Sequence, residues 1–253
     1  MAAVEPGKFE RYLSGHYARL GDQRRYRARR KSQLLGTYAH LLPAARDAEM
    51  LEIGPGFGQW LEALRSDRGY TRAVAVDLSP EVVEFCNQAM PGSTSLEPDT
   101  ADFLQRHAGC YDRIFAFHVL EHVPGEELDR LVHAIHAALK PGGLCVVEVP
   151  NMANMFTGAF MRYADLTHET GFTELSLQQL FEDAGFADIR CFEERIVLGV
   201  PQDLLAMAFR SLARLAQRIA YRGYQLPVPA VLTPVLCLRA ARPGPGAARD
   251  PAA

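Results

Sequence analysis

Three histidines and two carboxylates in this 253-residue chain are spaced so that they could share one task. His118-Val119-Leu120-Glu121-His122 forms an HxxEH run, and Asp165-Leu166-Thr167-His168 follows further along the chain. An imidazole titrates near neutrality, so His168 or His122 can act as general base on a hydroxyl, tuned by a carboxylate such as Asp165 or Glu121. The HxxEH run together with His168 could instead hold a divalent metal that polarises vicinal hydroxyls. A third reading leaves most of the cluster structural, with His122 closing a pocket or capping the next helix. His133 and His136, on the helix that follows, are assigned no function.

A second group stands upstream. Leu51-Glu52-Ile53-Gly54-Pro55-Gly56-Phe57-Gly58 places three glycines where the backbone can turn tightly and approach a ligand closely. The GxGxG spacing is tighter than the GxGxxG of dinucleotide-binding folds. Glu52 would repel a pyrophosphate but can accept a bond from an ammonium group. Asp77 follows Gly58 by 19 residues, where a carboxylate can grip both hydroxyls of a ribose. Asp77-Leu78-Ser79-Pro80 also reads as a helix start, which gives Asp77 a purely structural alternative. A ligand with an amino acid at one end and a ribose at the other fits the pair better than a dinucleotide.

These residues need a scaffold of alternating elements. Short apolar runs at 49–53, 71–76, 111–117 and 144–149 predict strands, bounded by turn formers. Between them 59–65, 80–89, 100–107 and 126–139 predict helices; the stripe Leu128-Leu131-Val132-Ile135-Leu139 ends at Lys140-Pro141-Gly142-Gly143. The alternation predicts βαβ units and a parallel sheet covered on both faces. Beyond it, a helix at 176–184, a strand at 187–197, an arginine-bearing helix near 202–222 and an apolar run at 231–238 are expected.

Through LEIGPGFGQW, VAVDLSP, YDRIFAFHVLEHVP and LKPGGLCVVEVPN, roughly residues 45–195, the sequence resembles the class I S-adenosylmethionine-dependent methyltransferases. The resemblance implies an α/β, Rossmann-like, seven-stranded, mostly parallel sheet with a reversed last strand, which 231–238 would supply. It implies S-adenosylmethionine as cofactor and S-adenosylhomocysteine as product. Glu52, Gly54, Gly56 and Gly58 would surround the methionine moiety, Asp77 the ribose, Leu78 and Asp102-Phe103 the adenine, and His118 would also contact the cofactor. Pro55 departs from the family's usual small residue but suits the loop. The histidine cluster resembles the ExxEH…H metal site of small-RNA 2′-O-methyltransferases and the related region of ubiquinone-pathway O-methyltransferases. His118 replaces a glutamate there, which softens the site toward zinc or manganese and leaves the metal unknown.

The stretch DLTHETGFTELSLQQLFEDAGF, residues 165–186, is similar to a segment of sugar-modifying and surface-polysaccharide methyltransferases. It implies O-methylation of a sugar hydroxyl on a glycan or glycosylated precursor; RNA 2′-O-methylation and quinone or phenol O-methylation are the alternatives. Acceptor specificity is expected from the N-terminal segment, residues 151–172 and an insertion at 198–230. Met152, Met155, Phe156, Phe160 and Met161 could form an apolar lid or simply pack a connecting helix.

The formal net charge of −3 hides a partition. Residues 1–46, expected as a basic helical segment, hold 10 basic and 3 acidic side chains; 47–195 hold 10 and 25; 196–253 hold 7 and 2. The methyltransferase domain is expected over 47–240 and a disordered tail over 241–253. Arg24–Lys31 has six basic residues in eight, and Arg210, Arg214, Arg218 and Arg222 recur every four beside an apolar face. Two readings stay open: contact with an anionic partner such as a membrane surface, or a helix packed on its own domain or a second subunit with a solvated basic face. Nucleic acid is disfavoured because no aromatic stacking motif accompanies the arginines. No run approaches about 20 apolar residues and Met1–Lys8 lacks a secretory signal, so a cytoplasmic protein is expected, with peripheral contact at the inner membrane face left open. Five scattered cysteines, never CxxC, predict free thiols.

Overall fold

In the computed structural model, which describes residues 9, 12–15, 23–196 and 202–244, the strand preceding the glycine loop lies inside a seven-stranded sheet. It is β1 (Met50–Ile53), and all four of its residues are buried. The others are β2 (Ala73–Asp77), β3 (Thr94–Leu96), β4 (Tyr111–Phe117), β5 (Leu139–Pro150), β6 (Ala187–Phe192) and β7 (Val235–Ala241). Their order is β3-β2-β1-β4-β5-β7-β6. The first five pair in parallel, and β7 runs antiparallel to both its neighbours, β5 and β6. This is the Rossmann-like sheet with a reversed last strand.

The helices are α1 (Tyr12–Gly15), α2 (Gln23–Tyr38), α3 (Gln59–Glu62), α4 (Pro80–Ala89), α5 (Thr100–Arg106), α6 (Gly125–Ala138), α7 (Gly158–Tyr163), α8 (Glu174–Asp183) and α9 (Gln202–Gly223). Side chains alternate across a strand, and β4 shows the consequence. Ile114 and Ala116 join one core with Leu128, Leu131 and Ile135 of α6 and Phe181 of α8. Phe115 and Phe117 join the other, with Trp60 and Leu61 of α3 and Leu34 and Tyr38 of α2. Both faces are covered, as an apolar parallel sheet requires. None of the helices among the described residues is long and apolar enough to cross a membrane.

Several boundaries differ from the sequence expectation. No residue range was expected for β3, three residues at the sheet edge with little apolar content. The last strand begins at Val235 rather than at 231, because Asn151 Nδ2 donates to the carbonyls of Val231 and Thr233 and Asn154 Nδ2 to that of Leu232. Pro234, lacking an N–H, follows. The strand expected to 197 ends at Phe192. All five cysteines are free thiols. Of the tail expected to be disordered, residues 245–253 lie outside the described residues.

The basic segments also turn out differently from a solvated face. On α2, Arg29 pairs with Asp203 at 2.7 Å, Arg30 with Glu148 at 2.6 Å, and Lys31 with Glu62 and Asp67 at 2.9 and 3.1 Å. On α9, Arg210 pairs with Glu194 at 3.0 Å and Arg214 with Glu193. Side chains four apart on a helix advance by about 40° per step, so the arginine ridge winds. Its first half faces the domain, while Arg218 and Arg222 are exposed.

Candidate active site

The carboxyl ends of β1, β2 and β4 open onto a cleft of about 990 Å³, solvent-open part included. Glu52, Gly54, Gly56, Asp77, Leu78, His118 and His122 line it. Gly54 has φ +67°, and a Cβ there would stand 2.7 Å from Val119 Cγ2, so only glycine permits this approach. Gly56 has φ +53° and no protein atom within 4 Å of its missing Cβ, so a side chain would project into open space. Glu52 is 3% exposed, and its Oε2 has no hydrogen-bond partner. Burial pushes its carboxyl up to about 8. Asp77 is pushed up to about 6 by burial, against the backbone N–H groups of Ser79 and Leu78 that it accepts from.

Not every expected residue is brought here. Gly58 precedes α3 and lies outside the cleft lining. Asp102 and Phe103 line neither this cleft nor the one adjoining it: Asp102 pairs with Arg106 at 3.2 Å, and Phe103 is buried against the His107 ring. The adjoining cleft is lined by Leu78, Val119 and the start of α5, Asp99, Thr100 and Ala101. Asp99 caps α5 by accepting from the Asp102 N–H at 2.9 Å. That cap places Asp99, three residues before the expected pair, at the edge of the adjoining cleft.

His118 leaves β4 with φ +55°, an uncommon conformation for a residue with a Cβ. The bend directs its Nδ1 to Glu121 Oε1 at 2.9 Å and its Nε2 to Glu148 Oε1 at 3.0 Å. Burial alone would lower its pKa, but the two carboxylates outweigh burial and raise it to about 10. Both His118 nitrogens face carboxylate oxygens, an arrangement that favours the imidazolium and leaves neither nitrogen turned toward a substrate. Glu148 also takes Arg30 and the Tyr38 hydroxyl at 2.6 Å each. Burial would raise Glu148; Arg30 and His118 instead hold it well below the carboxylate range. Tyr26, Arg30 and Leu34 of α2 line the cleft opposite the glycine loop. Sequence reasoning missed Arg30, Tyr38 and Glu148. A glutamate in the apolar run of β5 was the available signal, since a buried carboxylate needs a partner.

His122 and His168 meet with ring centroids 4.8 Å apart. His168 Nδ1 lies 2.8 Å from the Met161 carbonyl, which can only accept, so Nδ1 carries the proton and Nε2 the lone pair. Thr167 Oγ1 spends its single proton on Asp165 Oδ1 at 2.7 Å, and so accepts from His122 Nδ1 at 2.9 Å. His122 thus also turns a basic Nε2 away from its fixed side. Burial lowers the His122 pKa, against the carboxylates of Glu121 and Asp165. The backbone joins the two segments: the Glu121 carbonyl accepts from the N–H of Glu169 at 2.7 Å and of Thr170 at 3.1 Å. Ligand atoms of Glu121, His122 and His168 all lie within 4.8 Å of one another, and Glu121 Oε2 has no hydrogen-bond partner. Two imidazoles with oriented lone pairs and one carboxylate could hold a divalent ion.

A family model described as a methyltransferase domain matches residues 22–190. The chain belongs to that methyltransferase family. It is similar to the polyamine aminopropyltransferase 2 of Pseudomonas aeruginosa, 29% identical over 40% of this chain and 33% of that protein. It is also similar to the trans-aconitate 2-methyltransferase of Paracidovorax citrulli, 25% identical over 68% of this chain and 61% of that one. The chain thus spans a third and about three-fifths of the length of these curated relatives. Its fold is shared with a SAM-dependent methyltransferase from Archaeoglobus fulgidus, at TM-score 0.63 and 21% identity, covering 93% and 98% of the two chains. The residues fit S-adenosylmethionine, the cofactor of the class I methyltransferases. The lone Glu52 oxygen suits its ammonium group, the Gly56 space its methionine chain, and the Asp77 carboxylate its ribose diol.

Proposed function

We propose that this protein transfers the methyl group of S-adenosylmethionine to a sugar hydroxyl of a glycan or glycosylated precursor, with a histidine of the His122–His168 pair as general base. The observation that carries the reading is the chain Asp165–Thr167–His122, which fixes the His122 tautomer on a ring lining the cleft. The cofactor supplies a methyl group on a sulfonium, so the protein's task is alignment and removal of one proton. His122 lines the cleft and His168 stands behind it, which favours His122 as the group that takes the hydroxyl proton. Its lowered pKa keeps the imidazole neutral and receptive, and Glu121 and Asp165 stabilise the cation once formed. Glu52 and Asp77 bind the two ends of the cofactor, and Leu78, Asp99 and Thr100 border the adenine. The sugar acceptor is supported by the resemblance of residues 165–186 alone. RNA is disfavoured further, because much of the basic run of α2 is consumed by internal ion pairs.

A second reading is favoured by the convergence of Glu121, His122 and His168: together they hold a divalent ion that orients vicinal hydroxyls. The test is transfer of radiolabelled methyl groups from S-adenosylmethionine across a panel of saccharides, phenols and RNA, with and without EDTA. Labelling of saccharides is expected, and His122→Ala should lower turnover by about 10²–10⁴-fold while cofactor binding persists. Labelling confined to RNA or phenols would overturn the sugar assignment. Full activity of both His122→Ala and His168→Ala would overturn the base. Inhibition by EDTA, reversed by a divalent ion, would replace it with the metal reading.

A further inference from the structure

Helix α9 is amphipathic, yet it is mounted with its polar side inward. Asp203, Arg210, Arg214, Gln217 and Tyr221 fall on one face, and each bonds to the domain. The first three are held by Arg29, Glu194 and Glu193. Gln217 Oε1 accepts from the Met155 N–H at 3.0 Å, and the Tyr221 hydroxyl donates to the Ala153 carbonyl at 2.8 Å. The opposite face carries Leu205, Phe209, Leu212, Leu215 and Ile219, each 56–73% exposed. Leaving so large an apolar stripe in water is costly, and monomeric proteins seldom do so without a partner for it. Met155, Phe156 and Phe160, on the segment that α9 bonds through Gln217, are also exposed. That segment leads through α7 to Asp165 and His168.

We propose that α9 docks this protein on an anionic lipid bilayer, lying in the interface with its leucine face among the acyl chains. Charge decides between a bilayer and a second copy. Arg218 and Arg222 flank the stripe and are exposed, and the helix's only carboxylate, Asp203, is turned inward and buried against Arg29. A surface that is apolar with a cationic flank matches acyl chains beneath anionic headgroups. Two copies laid helix to helix would set arginines against an apolar face on which α9 offers no carboxylate to receive them. The inference stands apart from the acceptor assignment, because lipid binding is measured without turnover.

The test is sedimentation of the full chain with vesicles of phosphatidylcholine alone or mixed with phosphatidylglycerol. The expected result is binding to the mixed vesicles that weakens with salt. It should fall at least tenfold for Leu212→Glu and severalfold for the double variant Arg218→Glu, Arg222→Glu. Unchanged thermal unfolding and S-adenosylhomocysteine binding would show that these surface variants remain folded. Absence of wild-type binding, or equal binding by Leu212→Glu, would overturn the proposal. So would a dimer in light scattering that Leu212→Glu dissociates, which would make a second copy the cover of this face.

Discussion

At the scale of single residues, the cleft holds two carboxyls whose protonation is bound to folding. Glu52 rises to about 8 in the folded protein from an ordinary value of 4.5, and Asp77 to about 6 from 3.8. A carboxyl raised on folding favours the folded state most when protonated. Stability is therefore expected to fall as pH climbs from about 4 through about 8, by about 1.4 kcal/mol for each tenfold by which folding weakens the acid. Urea unfolding of the cofactor-free protein between pH 5 and 8.5 should show this decline, and Glu52→Gln should flatten its upper part. Equal slopes in the two proteins would mean that Glu52 is not the group responsible. A bound ammonium group beside Glu52 should flatten the wild-type slope in the same way. Glu52 was readable from the sequence because a carboxylate before a glycine loop has few other uses. The tautomers of His122 and His168 were not, because each depends on one acceptor, Thr167 or the Met161 carbonyl, placed only by the folded chain.

At the scale of elements, α2 closes the cleft through charge as well as packing. Its Leu34 and Tyr38 enter the core, and its Arg30 meets Glu148 beside His118. Glu148→Gln would leave the largely buried Arg30 guanidinium and the cleft-lining His118 ring side by side without their shared counter-ion. A loss of about 3–5 kcal/mol is expected, the range for breaking a buried ion pair from one side. Denaturant titration would measure it, and a loss below about 1 kcal/mol would mean that solvent reaches the network. The elements of the sheet's first half were legible because their patterns are unmixed: short apolar runs for strands such as β4, and a three-four stripe in α6 that stops at Lys140-Pro141-Gly142-Gly143. α9 was legible as a helix but not in its orientation. An amphipathic pattern identifies two faces, and only Glu193, Glu194 and Arg29 determine which of them turns inward.

At the scale of the whole molecule, the cleft depends on β1, β2, β4 and α2 together, so a ligand that fills it should stabilise the entire fold. S-adenosylhomocysteine at about a hundred times its dissociation constant should add about 2.7 kcal/mol, seen as a raised melting temperature. Asp77→Ala should remove most of that gain while leaving the ligand-free melting temperature near or above wild type, since it deletes a desolvated carboxyl. A full gain in Asp77→Ala would exclude Asp77 from cofactor binding.

The position of β7 has a consequence for how the protein is made. Among the described residues β5 and β6 do not pair with each other; each pairs with β7, the last of the described strands. During synthesis the first five strands can assemble on the ribosome, but the helices and strand that follow have no seat in the sheet until Val235–Ala241 emerges. The edge of β5 that β7 covers must wait, apolar and unpaired, for Val235–Ala241 to be translated. In that interval the unpaired edge of β5 exposes the chain to misassembly.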